Sequence, residues 1–214
     1  MWDRLTGRGK LETCLGKLLP HLDRDQVAMT GGVAIDLALH GSGVLSISDH
    51  VVDLDFVATS RQSVAQGIVK DFLVCHYHAP QPGYPKFLIM LVDPDSRLRV
   101  DIFPDLVGAL KRATRITLGR ENLLMLDPDS ILEHKLLTLA RASETNPVDP
   151  KHYRHALALA RRSGRPIPRV PAAHLAVDVY STDLRAPCRR CEFSRDPAFS
   201  LAPKREIFEL LGYV

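Results

Sequence analysis

Hydrophobic and polar positions along the chain change period several times, and each change predicts an element. Leu11, Cys14, Leu15, Leu18 and Leu19 recur at helical spacing, predicting a helix over Leu11 to Leu22. Gln26 to Met29 is a short apolar run ended by Thr30-Gly31-Gly32, which reads as strand then turn, and Val33 to His40 continues as a buried helix. Val51 to Ala58 reads as a strand interrupted by Asp53 and Asp55. Ser63 to Phe72 is predicted helical, with Ser60 as N-cap. Phe87 to Val92 and Leu98 to Phe103 read as strands around the turn Asp93-Pro94-Asp95-Ser96, and Ile116 to Leu118 and Leu123 to Leu126 as short further strands.

After Asp127-Pro128-Asp129-Ser130, a helix-start signal, the pattern turns helical. Ile131 to Arg141 and His152 to Arg162 are expected as amphipathic helices joined by the loop Ser143 to Pro150, with further helices over Ala172 to Tyr180 and Lys204 to Leu211. The expected fold is α+β, a mixed sheet flanked by helices. Its expected division is a core domain over residues 1–126 and a C-terminal helical domain with a basic tail over 127–214.

The pair Asp53-Leu54-Asp55 carries the strongest chemical signal. Residues two apart in a strand project from the same face, so both carboxylates point together while Leu54 and Phe56 face the core. Their mutual repulsion is relieved by a divalent cation, which takes carboxylate oxygens as hard ligands. In Arg97-Leu98-Arg99-Val100-Asp101-Ile102-Phe103, the residues Leu98, Val100 and Ile102 form one face and Arg97, Arg99, Asp101 and Phe103 the other. If that strand neighbours the first, Asp101 completes a triad able to hold two Mg²⁺ about 3.5–4 Å apart, as in two-metal phosphoryl chemistry. Thr30-Gly31-Gly32, between strand and helix, lets the backbone approach a phosphate and presents free N–H groups to it.

In this order, Gly31-Gly32-Val33-Ala34-Ile35-Asp36-Leu37-Ala38-Leu39, then Asp53-Leu54-Asp55-Phe56, then Asp101 resemble the nucleotidyltransferase superfamily, and within it the AbiEii-like, type IV toxin branch. The resemblance covers about Gln26 to Arg162 and takes in Leu132-Glu133-His134-Lys135-Leu136-Leu137-Thr138-Leu139, similar to that branch's leucine-rich helix with a lysine. It implies a nucleotidyltransferase-like fold and transfer of a nucleoside monophosphate from an NTP to an acceptor hydroxyl. Catalysis and Mg²⁺ would fall to Asp53, Asp55 and Asp101, with Asp101 as base; nucleotide binding would fall to Thr30, Gly31, Gly32 and Lys135. It also implies RNA, a tRNA end or a protein as acceptor, and a neighbouring antitoxin. Two departures bear on substrate choice. Lys151-His152-Tyr153-Arg154-His155-Ala156 has histidines where many relatives have acids, and His50-Val51-Val52 precedes the D-x-D where relatives often have Arg and Ser/Thr. The histidines favour a rival reading, a nucleotide-binding regulatory or interaction protein without turnover.

Charge adds one further consideration. From Arg141 onward there are 13 Lys/Arg against 8 Asp/Glu, leaving 15 against 17 before it, so the parts carry +5 and −2. A basic tail suits a phosphate-rich partner and supports a third reading, an RNA-binding module that would use Arg185, Arg189, Arg190 and Arg195. Cys188 and Cys191 have the spacing of half a zinc site, but a tetrahedral site wants four ligands, so unpaired thiols are the favoured reading. His76 and His78 would share a face of an exposed strand edge. The longest apolar runs, such as Phe87 to Val92, are too short to span a bilayer, and the N-terminus lacks a secretory apolar stretch, so the expected location is cytoplasmic without membrane partners.

Overall fold

A computed structural model gives the fold and describes residues 7–41, 53–78, 86–143, 145 and 147–175. The described residues divide between Leu126 and Asp127 into two compact units.

The first unit is built on a seven-stranded mixed sheet. Helix α1 (Gly7–Leu18) leads through a 3₁₀ turn to β1 (Val27–Thr30), α2 (Gly31–His40) and β2 (Asp53–Ala58); then come β3 (Leu73–His78), β4 (Leu88–Val92), β5 (Arg99–Pro104), β6 (Thr114–Leu118) and β7 (Glu121–Met125). In space the order is β3-β4-β5-β2-β1-β7-β6. The β2–β5 and β1–β7 pairs are parallel and the other four antiparallel. Fold class and mixed sheet are as the sequence predicts.

Alternation fixes which side of each central strand faces the core. Leu54, Phe56, Val100, Ile102, Ile89 and Leu91 are at most 1% exposed, while the residues between them in β2, β4 and β5 are mostly half-buried. A strand that slipped by one residue would exchange the two sets, so burial holds the register. Helix α1 buries Leu11, Cys14, Leu15 and Leu18 completely, as its spacing predicts. Its Lys17 Nζ donates to Asp93 Oδ1 at 3.0 Å in the β4–β5 turn and also pairs with Asp95. Asp93, itself fully buried, accepts further bonds from the backbone N–H groups of Asp95 and Ser96 and from the Ser96 hydroxyl.

The helix expected over Ser63 to Phe72 is absent and is replaced by 3₁₀ turns at Arg61–Ser63 and Gln66–Lys70. Val64, Ile68 and Phe72 are buried at four-residue intervals, so the periodicity reports burial correctly. Continuity fails because Val64 is extended and bridges to Leu22, which interrupts any helical ladder. Ser60 does stand at the N-cap of the first turn, with no side-chain cap bond.

The second unit, described by itself, pairs α3 (Pro128–Ala140) with α4 (Pro150–Ser163). Each begins on an aspartate cap followed by proline. Asp127 accepts from the N–H groups of Asp129 and Ser130, and Asp149 from that of Lys151. The left-handed Gly164 ends α4. Of the helix expected over Ala172 to Tyr180, residues Ala172–His174 form a 3₁₀ turn and the remainder beyond Leu175 lies outside the described residues. Also outside them are the helix expected over Lys204 to Leu211, Cys188, Cys191 and the tail arginines. Among the described residues, no helix is long and apolar enough to cross a membrane.

Candidate active site

Strand pairing brings the three predicted carboxylates onto one face. In the parallel β2–β5 ladder, Asp55 lies opposite Asp101 and Asp53 opposite Arg99. Asp53, Asp55, Arg99 and Asp101 are all half-buried, while the alternate residues Leu54 and Val100 are fully buried. The face is therefore the sheet's polar one at this point.

The glycine turn meets that face. β1 pairs with β2 so that Thr30 lies opposite Asp55, and α2 starts at the next residue. Gly31 has φ +73°, and a Cβ there would stand 1.9 Å from Asp55 Oδ2 and 2.6 Å from Asp55 Cβ and Cγ. Glycine is required twice, by the backbone angle and by the carboxylate that fills the side-chain space. Gly32 meets no heavy atom within 4 Å. Thr30 is the N-cap of α2 but makes no side-chain cap bond, and its side chain is buried. The Thr30 side chain thus caps none of the first-turn N–H groups of α2, which start beside Asp55.

Arg99 is the site residue that sequence reasoning did not single out. Its Nη2 lies 3.0 Å from Asp53 Oδ2, and its Nε lies 3.2 Å from Asp101 Oδ1. Burial works against its charge, but Asp101, Asp53 and Asp55 together outweigh burial and hold its pKa above the ordinary arginine value. The signal was present in the alternation of Arg99 and Asp101 on one strand face.

Three carboxylates on one face, beside a glycine that leaves Asp55 its space, suit a hard divalent ion in donor chemistry and in facing. As placed, Arg99 draws Asp53 and Asp101 to itself. Among the described residues, no three His, Cys, Asp or Glu side chains group as a metal site.

Lys135 belongs to the second unit, on α3. Its Nζ donates to His152 Nδ1 of α4 at 3.1 Å. Burial first, then the charges of Lys135 and Lys151, lowers His152 from 6.5 to about 4, so it is a neutral acceptor at physiological pH. One of the histidines noted in Lys151-His152-Tyr153-Arg154-His155-Ala156 is thus the partner of Lys135. Both predicted strand-edge histidines, His76 and His78, lie on β3, the edge strand of the sheet, and His76 is half-buried there rather than exposed.

No family model matches the chain, and no curated relative matches it. Similarity to solved structures is found. One neighbour is an antigenic nucleotidyltransferase-like protein from Paracoccidioides brasiliensis, at 19% identity over 79% of each chain with a TM-score of 0.39. Another is JHP933 from Helicobacter pylori, at 14% identity over 95% of this chain and 89% of the other, with a TM-score of 0.40.

Proposed function

We propose that this chain is a magnesium-dependent nucleotidyltransferase that moves a nucleoside monophosphate from an NTP to an acceptor hydroxyl. The observation that carries the reading is the parallel pairing of β2 with β5, which sets Asp101 beside Asp55, on the face of Asp53, at the glycine start of α2. Asp53, Asp55 and Asp101 would hold magnesium, which would supply positive charge against the triphosphate oxygens. The N–H groups at Gly31 and Gly32, which the Thr30 side chain does not cap, would take phosphate oxygens, helped by the partial positive charge of the helix start. Asp101 would accept the proton of the acceptor hydroxyl as its oxygen bonds to the α-phosphorus. The bond to the bridging oxygen breaks, and pyrophosphate leaves. Thr30 would support the phosphate turn. The resemblance also assigns nucleotide binding to Lys135, whose ammonium donates to the neutral imidazole of His152. The AbiEii-like resemblance supports RNA, a tRNA end or a protein as acceptor, and a toxin role opposed by an antitoxin.

The test is incorporation of labelled NMP into total RNA and protein. Asp53→Ala/Asp55→Ala is expected to abolish it; normal transfer by that variant would overturn the reading. One observation favours a second reading, nucleotide binding without turnover: Arg99 occupies two of the three carboxylates. Calorimetry with each NTP and Mg²⁺, run beside incorporation, separates the two, because saturable binding without product supports the second.

A further inference from the structure

The same register that pairs Asp55 with Asp101 sets Arg99 opposite Asp53, so a cation stands within the acidic face. Three carboxylates alone would give that face a charge of −3; the guanidinium makes it −2. Arginine does not deprotonate in the working pH range, so this charge is permanent. Its planar fork can serve two acceptors at once; here Nη2 donates to Asp53 Oδ2 across the strands, while Nε and Asp101 Oδ1 on its own strand lie in ion-pair contact without a hydrogen bond between them. The guanidinium is confined by its partners but not sealed in, since the Arg99 side chain is 23% exposed. It therefore has solvent to move into.

We propose that Arg99 is the resident counter-cation of this site, holding Asp53 and Asp101 in the metal-free protein and competing with a divalent ion for them. The inference rests on the reading of the three carboxylates as a metal site and deepens it. The Asp53 oxygen that already accepts from the guanidinium is a poorer ligand, and a positive charge beside the Asp101 carboxylate repels the incoming ion. A unit charge a few ångströms from a divalent ion is worth about a factor of ten even at the dielectric of bulk water. The nucleotide-free protein therefore binds divalent ions weakly, and Arg99 sets that weakness. In return, the carboxylates stay together on the sheet when no ion is present, instead of repelling one another. Arg99 is on this account a positioning residue, and its signature lies in metal binding and metal-dependent stability.

The experiment measures Mn²⁺ binding to the whole nucleotide-free chain by electron paramagnetic resonance, with thermal unfolding followed in parallel. Proteins compared are the wild type, Arg99→Gln, Arg99→Lys and Asp55→Asn. Arg99→Gln is expected to bind Mn²⁺ at least about tenfold more tightly than wild type. It is also expected to unfold at a lower temperature without metal and to recover more of that loss on adding Mn²⁺. Arg99→Lys keeps the charge but cannot grip both carboxylates, so it should fall between the two. Should Arg99→Gln fail to fold, the lysine variant still decides the matter: tighter Mn²⁺ binding than wild type supports the proposal, and equal or weaker binding overturns it. Binding by Arg99→Gln no tighter than wild type, with binding lost in Asp55→Asn, overturns the role of Arg99 and leaves the metal site standing. Binding absent from all the proteins, or unchanged in Asp55→Asn, overturns the metal site and this inference with it.

Discussion

Replacing Gly31 by alanine tests the close approach on which the site's geometry turns. Two penalties can be worked out. An L-residue at φ +73° pays about 1–2 kcal/mol for the left-handed backbone. The new methyl would also overlap Asp55, at 1.9 Å from Oδ2 and 2.6 Å from Cβ and Cγ. The carboxylate can rotate away, but Cβ is fixed to the strand, so the strand or the helix start must shift, at about 1–3 kcal/mol for forced overpacking. The expected loss is about 2–5 kcal/mol, a large share of the roughly 5–15 kcal/mol that holds a typical domain. Gly32→Ala is the internal control, because nothing lies within 4 Å and its φ is not in the left-handed range. It is expected to be neutral, or stabilising by up to about 1 kcal/mol from reduced chain entropy. Urea unfolding of both variants gives the two numbers directly. A cycle with Asp55→Gly separates the penalties. Removing the overlapping side chain should recover the packing part, about 1–3 kcal/mol, and leave the backbone part. Agreement of Gly31→Ala with Gly32→Ala to within about 0.5 kcal/mol would refute the packed contact between the glycine and Asp55.

Two further outcomes are expected. His152 is lowered from 6.5 to about 4, so its contribution to stability is complete above pH 6.5, where folded and unfolded chains are both neutral. As pH falls from 6.5 towards 4 the unfolded chain takes the proton first and that contribution is lost; His152→Gln should flatten this part of a thermal-unfolding pH profile, and an unchanged slope would refute the assignment. Asp93→Ala removes a fully buried acceptor for Ser96, Asp95 and Lys17 in a turn whose tip, Asp95, is exposed, with an expected cost of about 1–3 kcal/mol in urea unfolding, since the buried Ser96 donors lose their partner while Lys17 keeps Asp95. Asp93→Asn, which keeps part of the acceptor set, should cost less, and a loss for the alanine variant under about 0.5 kcal/mol would show the turn to be held by other groups.

How much of this was legible in the sequence depends on the range of the interaction concerned. Alternation in a strand is local, so the shared face of Asp53 and Asp55, and of Arg99 and Asp101, could be read directly. Adjacency of β2 and β5 is not local: they are separated by two strands and two 3₁₀ turns, and sequence reasoning could state it only as a condition. The close approach of Gly31 to Asp55 follows from the β1–β2 register, which no spacing encodes. Arg99 was visible as a residue on the right face, but its bridging role needed the partner strand. Ser63 to Phe72 misled for the opposite reason. Its buried residues keep a helical interval, but the tie between Val64 and Leu22 belongs to distant parts of the chain.

The position of β5 has a consequence for how the molecule is assembled. It is the third of three consecutive strands, β3, β4 and β5, yet it lies between β4 and β2. It is the staple that joins the outer hairpin to the rest of the sheet. A chain emerging during synthesis carries its first two aspartates on β2 long before the strand bearing the third has been made. Insertion of β5 therefore finishes two things in one stroke, the continuity of the sheet and the set of acids. A misthreaded insertion, one residue out of step, would turn Val100 and Ile102 to water and Asp101 into oil. Hydrophobic burial thus polices the chemistry, since a molecule that has buried its core correctly has necessarily turned its acids the right way.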